Sequence, residues 1–333
     1  LTNSICRNHQ LYKDFLSAHR QAYAQAKQGR KHEIMLSFTP IIVCLAAYQL
    51  TKLSPVGAFD LDTLLSAFAL AGVAVLLYCD LVLDPIRKKH RRTANLDLEA
   101  YDTKVLTLPW NESVAGPIKE LSDVKIEAEN YQSKLASEHP PELSLVDSWY
   151  PEEIEQVPLD IARLYCLRQN CAFELAYREK YIALFLRPML AFTSILVLTQ
   201  AWVFGLKLSS VCLTLIVAAP IFRIIILGLL VQTNNLKSMK ELKAEIEAAQ
   251  KLASSKSGST TTTTTTTTTK DTEQNTGTSE LTARARGFQD RLFISRDTLP
   301  LISIGGFKYI KASYLPGLKA ETIASLRQDG LLS

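Results

Sequence analysis

The chain has 333 residues, a net charge of +4 and 47% hydrophobic residues. Its apolar residues gather in four blocks separated by charged and polar sequence, which argues against one evenly mixed soluble globule. The basic residues cluster beside those blocks, so the positive charge needs no nucleic-acid polymer as partner.

In chain order, residues 1–33 predict an amphipathic helix with Leu11, Phe15 and Ala18 at helical spacing. A membrane-crossing helix needs about 20 consecutive apolar residues. Blocks over 34–50 and 61–83 predict spans one and two, a first hairpin at 34–83. Span one is the shortest and holds Pro40. Polar sequence precedes it and no small-x-small cleavage site follows, so it reads as an uncleaved anchor rather than a signal peptide.

Residues 84–181 are too long for a connector and predict a helical domain. "TANLDLEAYDTKVL" reads as a helix ending before Pro109, and "PIKELSDVKIEAENYQSKLASE" as one beginning at Pro117. A further helix runs from Val157 to Tyr181 and approaches span three. Spans three and four, over 188–206 and 208–231, form a second hairpin within 182–232. In 233–253, Met239, Leu242, Ile246 and Ala249 step by three and four as a helical stalk would. Ten consecutive threonines then mark 254–280 as a disordered linker. Residues 281–333 predict a short helix and a less regular tail docked on the body.

The fold class is therefore all-α, an integral membrane protein with four transmembrane helices in two hairpins and a helical domain. Arg20, Lys27, Arg30 and Lys31 precede span one, and five basic residues within 87–92 follow span two. Arg178 and Lys180 precede span three, and Lys237, Lys240 and Lys243 follow span four. The two hairpin loops hold only Lys52 and Lys207. The positive-inside rule then places both termini and the middle domain in the cytoplasm.

Catalytic templates find no match: no phosphate-binding glycine loop, no metal-type His/Cys cluster and no nucleophile elbow are present. We expect no catalytic residue, no metal and no cofactor. Cys166 and Cys171 lack metal-type spacing and read as structural thiols. One polar stripe stands out, because Arg163, Asn170, Glu174, Arg178 and Tyr181 share a narrow helical sector edged by Asp160 and Tyr177. It could hold an anionic ligand, face water, or form a salt-bridged contact between helices.

Span four contains Arg223 within an otherwise uncharged run, three residues after Pro220. Two readings stand side by side. The arginine snorkels to the cytoplasmic interface, or it faces inward, lining a pore or pairing with Asp80 of span two.

"YDTKVLTLPWN", "WYPEEIEQVPLDIARLYCLRQN", "ELAYREKY" and "RGFQDRLFISRDTLPLI" together resemble the SMODS-associated four-transmembrane effector family. The matching positions are Asp102, Trp110, Asn111, Trp149, Tyr150, Pro151, Arg163, Cys166, Arg168, Asn170, Arg178 and Tyr181. Arg286, Gln289, Asp290, Arg296 and Pro300 match its C-terminal signature. Leu167 stands where glutamine is common, and Glu174 replaces an aspartate.

What the resemblance implies is a pore-forming effector of bacterial cyclic-oligonucleotide-based antiphage signalling. It would sit in the inner membrane and be triggered by a cyclic di- or trinucleotide from a cognate nucleotidyltransferase. Four helices scarcely enclose a wide water path, so a homo-oligomer in the lipid bilayer is expected. Candidate ligand contacts are Trp110, Asn111, Trp149, Tyr150, Arg163, Arg168, Asn170, Arg178, Gln289 and Asp290. The arginines would meet phosphates, and the aromatics would stack on bases or pack in the core. Pro220, Arg223 and Asp80 are the candidate pore or gating residues. The alternative is a membrane-anchored sensor or scaffold that forms no pore. A membrane enzyme is a third class, disfavoured by the lack of a polar catalytic cluster near the spans.

Overall fold

The computed structural model describes residues 3–53, 61–138, 149–203, 207–258, 270–298 and 306–332. In chain order its helices are α1 Ile5–Leu11, α2 Lys13–Leu53, α3 Leu61–Tyr78 and α4 Asp84–Val105. Then come α5 Glu112–Ala115, α6 Leu121–Glu138, α7 Leu159–Tyr181 and α8 Arg187–Val203. The long α9 Leu208–Gly258, α10 Lys270–Thr298 and α11 Gly306–Gln328 complete the chain, which is all-α among the described residues.

The helices that carry the spans do not stop where their apolar sequence ends. Span one is the second half of the 41-residue α2. At 1.5 Å per residue that helix is about 60 Å long, twice the ~30 Å of a bilayer's hydrocarbon core. Span two passes from α3 through a π-helical turn, Cys79–Leu83, directly into α4. Likewise α7 enters span three, α8, through a second π-helical turn, Ile182–Leu186. Span four opens the 51-residue α9. The stretches Lys13–Leu50, Thr63–Val105, Leu159–Val203 and Leu208–Ser255 are each long and apolar enough to cross a membrane. All four also extend into one polar helical body.

Among the spans, the fourth is the most enclosed, with 44% of its apolar window buried against 28%, 22% and 22% for the others. Val217, Ala218, Ile221, Ile224 and Ile225 of span four pack against Ile41, Ala69 and Val197 of the other three. Gly72 permits a close approach of spans two and four. A Cβ there would lie 3.0 Å from the Ile216 carbonyl oxygen and 3.2 Å from Val217 Cα. Small residues at such crossings let membrane helices pack backbone to backbone.

In the polar body α7 is the central helix, and every residue from Ile161 to Phe173 is buried. Leu164, Tyr165 and Leu167 share one core with Phe15, Tyr101, Leu106, Ile246, Leu292 and Leu326. Each such large apolar side chain contributes about 1.5–3 kcal/mol when fully buried. Met239, Leu242, Ile246 and Ala249 of α9 belong to this same core.

Of the three readings left open for the polar stripe on α7, the paired contact between helices is the one present, and two other expectations are corrected. The polar stripe on α7 does not face water, because Asn170 is 2% exposed and Arg163 and Arg178 are each 6% exposed. The reason is that α10 and α11 return over α7, which the periodicity of α7 alone does not report. Leu11 is exposed rather than buried with Phe15 and Ala18. The chain leaves helical geometry at Tyr12 (φ −107°, ψ 20°), so α1 and α2 present different faces. The C-terminal tail is helical: α11 turns Leu315, Thr322 and Leu326 inward despite Pro316. Of the expected linker over 254–280, residues 259–269 lie outside the described residues, as does Pro300.

Candidate functional site

The signature residues of α10 form the buried polar seam of the body. Arg286, Gln289, Asp290 and Arg296 recur at helical spacing and face α4 and α7. Arg296 Nη1 donates to Asp102 Oδ2 of α4 at 2.7 Å, and its Nε lies 3.3 Å from Glu174 Oε1 of α7. Gln289 Nε2 donates to Glu99 Oε2 at 2.7 Å and to Asp102 Oδ2 at 3.1 Å. Arg286 pairs with Glu99 and, at 2.6 Å, with Asp290. Asp290 also accepts a bond from Asn111 Nδ2 at 2.7 Å.

Burial would raise the Glu174 carboxyl, but Arg178 and Arg296 outweigh it and hold it below its ordinary value. Burial would lower the Arg296 guanidinium, and Asp102 with Glu174 reverses that as well. Both groups therefore stay charged, and α10 binds α4 to α7 through a buried ion triad. Because α4 and α7 run on into spans two and three, the triad links two membrane helices.

The three arginines expected to meet phosphates are used internally. Arg163 donates to the carbonyls of Leu106 and Thr107 at 2.7 and 2.6 Å, and to Asp160 and Thr282 at 2.7 and 2.8 Å. Arg178 pairs with Glu174 at 3.1 Å and donates to Gln232 Oε1 at 3.1 Å. Arg168 donates to Ser325 Oγ of α11 at 2.9 Å and lies over the Tyr165 ring. Trp110 donates its indole N–H to the carbonyl of Gly116, a glycine at φ +86°.

Trp149, Tyr150 and Asn170 do come together. Trp149 Nε1 donates to Asn170 Oδ1 at 2.7 Å, and Asn170 Nδ2 donates to the Tyr150 hydroxyl at 3.0 Å. Beside them opens a cleft of about 340 Å³ lined by Cys6, Arg7, His9, Gln10, Trp149, Tyr150, Glu152 and Glu155. Glu155 accepts the backbone N–H of Cys6 at 3.1 Å and so pins α1 to the wall of this cleft. Burial, reinforced by Glu155, pushes the Cys6 thiol up to about 11, which keeps it a neutral thiol rather than a nucleophilic thiolate. Burial raises Cys166 well above the ordinary thiol range and Cys171 to about 12, in keeping with packed thiols.

A third polar group lies where the spans meet the body. Arg223 of span four forms an ion pair with Asp80 in the π-helical turn that ends span two. Its other nitrogen lies 3.9 Å from Glu33 Oε1 of α2. Glu33 is 1% exposed and pairs with Arg30 at 2.7 Å and with Arg87. The Arg223–Asp80 pair that the sequence offered is present. Glu33 escaped sequence reasoning, although it is the last charged residue before the first apolar block. Glu99, Asp102, Glu174 and Arg296 were also absent from the candidate ligand contacts.

The ten candidate ligand residues thus occupy separate places: Asn111, Gln289 and Asp290 in the seam, Trp149 and Tyr150 on the cleft wall with Asn170 buried behind them, Arg178 beside the triad through Glu174, and Trp110, Arg163 and Arg168 in other internal contacts.

Fold and charge placement define a helical protein with four membrane-crossing stretches whose helices merge into one polar body. The profile of the SMODS-associating 4TM effector domain matches residues 4–314, and the chain belongs to that family. No curated protein and no solved structure matches it.

Proposed function

We propose that this protein is a bacterial antiphage effector that permeabilises the inner membrane as an oligomer once its cytoplasmic body senses a cyclic nucleotide. The observation that carries this reading is the continuity of spans and body: two spans reach α4 and α7, and Arg296 holds those helices together. A ligand that favours another packing of the body would act directly on the spans. In this reading the segments 84–181, 233–253 and 281–333 are cytoplasmic, and a cognate nucleotidyltransferase supplies the signal.

The cleft beside Trp149 and Tyr150 is the candidate nucleotide site. Trp149 offers an aromatic surface, Glu152 and Glu155 accept from base amino groups, and exposed Arg7 suits a phosphate. Arg163, Arg168 and Arg178 would serve a phosphate only by exchanging their present partners.

The test uses the full chain in dye-loaded liposomes, challenged with cyclic di- and trinucleotides while oligomer size is followed in parallel. Leakage with one nucleotide, lost in Trp149→Ala and Arg7→Ala, is expected. Nucleotide binding with sealed liposomes would overturn pore formation and leave a membrane-anchored sensor or scaffold.

A further inference from the structure

The inside of the four-span bundle carries polar groups that its own helices do not satisfy. Span three turns Thr193, Val197 and Gln200 inward, and span four turns Ser210, Thr214, Val217 and Ala218 inward. Span one contributes Ser37, Ile41 and Cys44. Steps of three and four residues place each set on one helix face. Thr193, Gln200 and Thr214 are each 0% exposed. Thr193 Oγ1, Gln200 Oε1 and Thr214 Oγ1 have no hydrogen-bond partner among the described residues. Polar side chains between membrane helices ordinarily bond across the interface, so three such atoms facing one interior point to an occupant with its own hydrogen-bonding capacity.

Contacts between the spans fix the order of layers along the bundle. Toward the hairpin end, Gln200 Nε2 donates to Cys44 Sγ at 3.3 Å, with Leu65 and Leu213 beside them. At the body end lie Glu33, Asp80 and Arg223. Between the two runs an apolar belt of Ile41, Ala69, Val197, Val217, Ala218 and Ile221. Polar side chains on either side of an apolar belt, with charged groups at the body end, are the arrangement that a permeation path closed at a hydrophobic constriction would need, since such a constriction gates by dewetting.

We propose that each protomer carries its own narrow route for water and small inorganic ions through the inside of its four spans. Gln200, Thr214 and Thr193 supply the polar lining, and the belt of Ile41, Val197, Val217 and Ile221 is the gate. The inference rests on the reading of the protein as a membrane-permeabilising effector and adds where the small solutes pass. Four helices leave too little width for a dye, so ion flux and dye release become separate events.

The test reconstitutes the full chain in liposomes holding potassium and a trapped dye, read first without nucleotide and then with the cyclic di- and trinucleotides. Val217→Ser and Ile221→Ser place a hydroxyl in the belt. Ile195→Ser and Leu198→Ser place one on the outward face of span three, where both residues are exposed. Where a serine variant fails to fold, Val197→Thr and Val217→Thr keep the volume and still add polarity. Belt variants should raise resting potassium efflux by roughly tenfold, the change given by a barrier about 1.4 kcal/mol lower. Dye should stay trapped, and outward-face variants should match wild type. Equal efflux from folded belt and outward-face variants overturns the route. Nucleotide-triggered leakage in wild type with silent belt variants overturns the route alone. Leaking belt variants, with a wild type that answers no nucleotide, keep the route and overturn the trigger.

Discussion

Arg223 and Asp80 form an ion pair that joins span four to the π-helical turn ending span two. Pro220 precedes the arginine by three residues, so the pair sits just after a point where the helix ladder loses a donor. Arg223→Leu would leave Asp80 and Glu33 with fewer partners while making the span more apolar. We therefore expect normal membrane insertion but altered nucleotide-triggered leakage, by the roughly 5–150-fold that typical coupling energies give. Leakage rates compared at equal inserted protein check this. An unchanged rate returns Arg223 to a role at the lipid interface.

The triad of Arg296, Asp102 and Glu174 gives a prediction about stability. Arg296→Met leaves two carboxylates buried without their shared cation, and breaking a buried pair in this way costs about 3–5 kcal/mol. Thermal unfolding in detergent should show a clear loss. Arg296→Lys keeps the charge but not the planar fork, and should lose less. Equal melting temperatures for the wild type and Arg296→Met would remove the triad from the list of forces that hold α10.

What the sequence made legible follows from where each signal resides. An apolar block of span length carries its own information, so four membrane-crossing helices could be read without knowing what they touch. The stripe on α7 could not be read so, because its local pairs Asp160–Arg163 and Glu174–Arg178 fit an exposed face equally well and the groups that cover it come from outside α7. Thr282 and Arg296 approach from α10, and Trp149 from the segment before α7. A helix whose polar residues are satisfied internally has the same pattern as one facing water. Leu11 shows the opposite error, since its spacing to Phe15 was right but the break at Tyr12 rotated it outward.

Asp97 supplies a pH dependence. Burial and Glu127 push its carboxyl up to about 6, although Lys119 lies 3.4 Å away and acts the other way. The folded state therefore binds more protons than the unfolded state between the ordinary aspartate value and about 6. Stability should fall as pH rises through that window. Asp97→Asn should flatten this part of a melting-temperature profile, whereas an identical profile in both proteins would assign the slope to other groups.

The contact of Gly72 with span four gives a prediction about packing. Pro220 cannot supply the N–H that would bond the Ile216 carbonyl, and that carbonyl lies against Gly72, where a Cβ would come within 3.0 Å. The neighbouring atoms are backbone, so Gly72→Ala requires one span to move, and Gly72→Val requires more. Overpacking of this kind costs about 1–3 kcal/mol. A glycine of α10 provides the contrast: Gly287 has nothing within 4 Å of its added Cβ. Alanine there should be neutral or stabilising by up to about 1 kcal/mol, through helix propensity alone. Opposite shifts in melting temperature for the two alanine variants would locate the tight crossing between spans two and four. A Gly72→Ala protein as stable as wild type would mean that the spans can separate without loss.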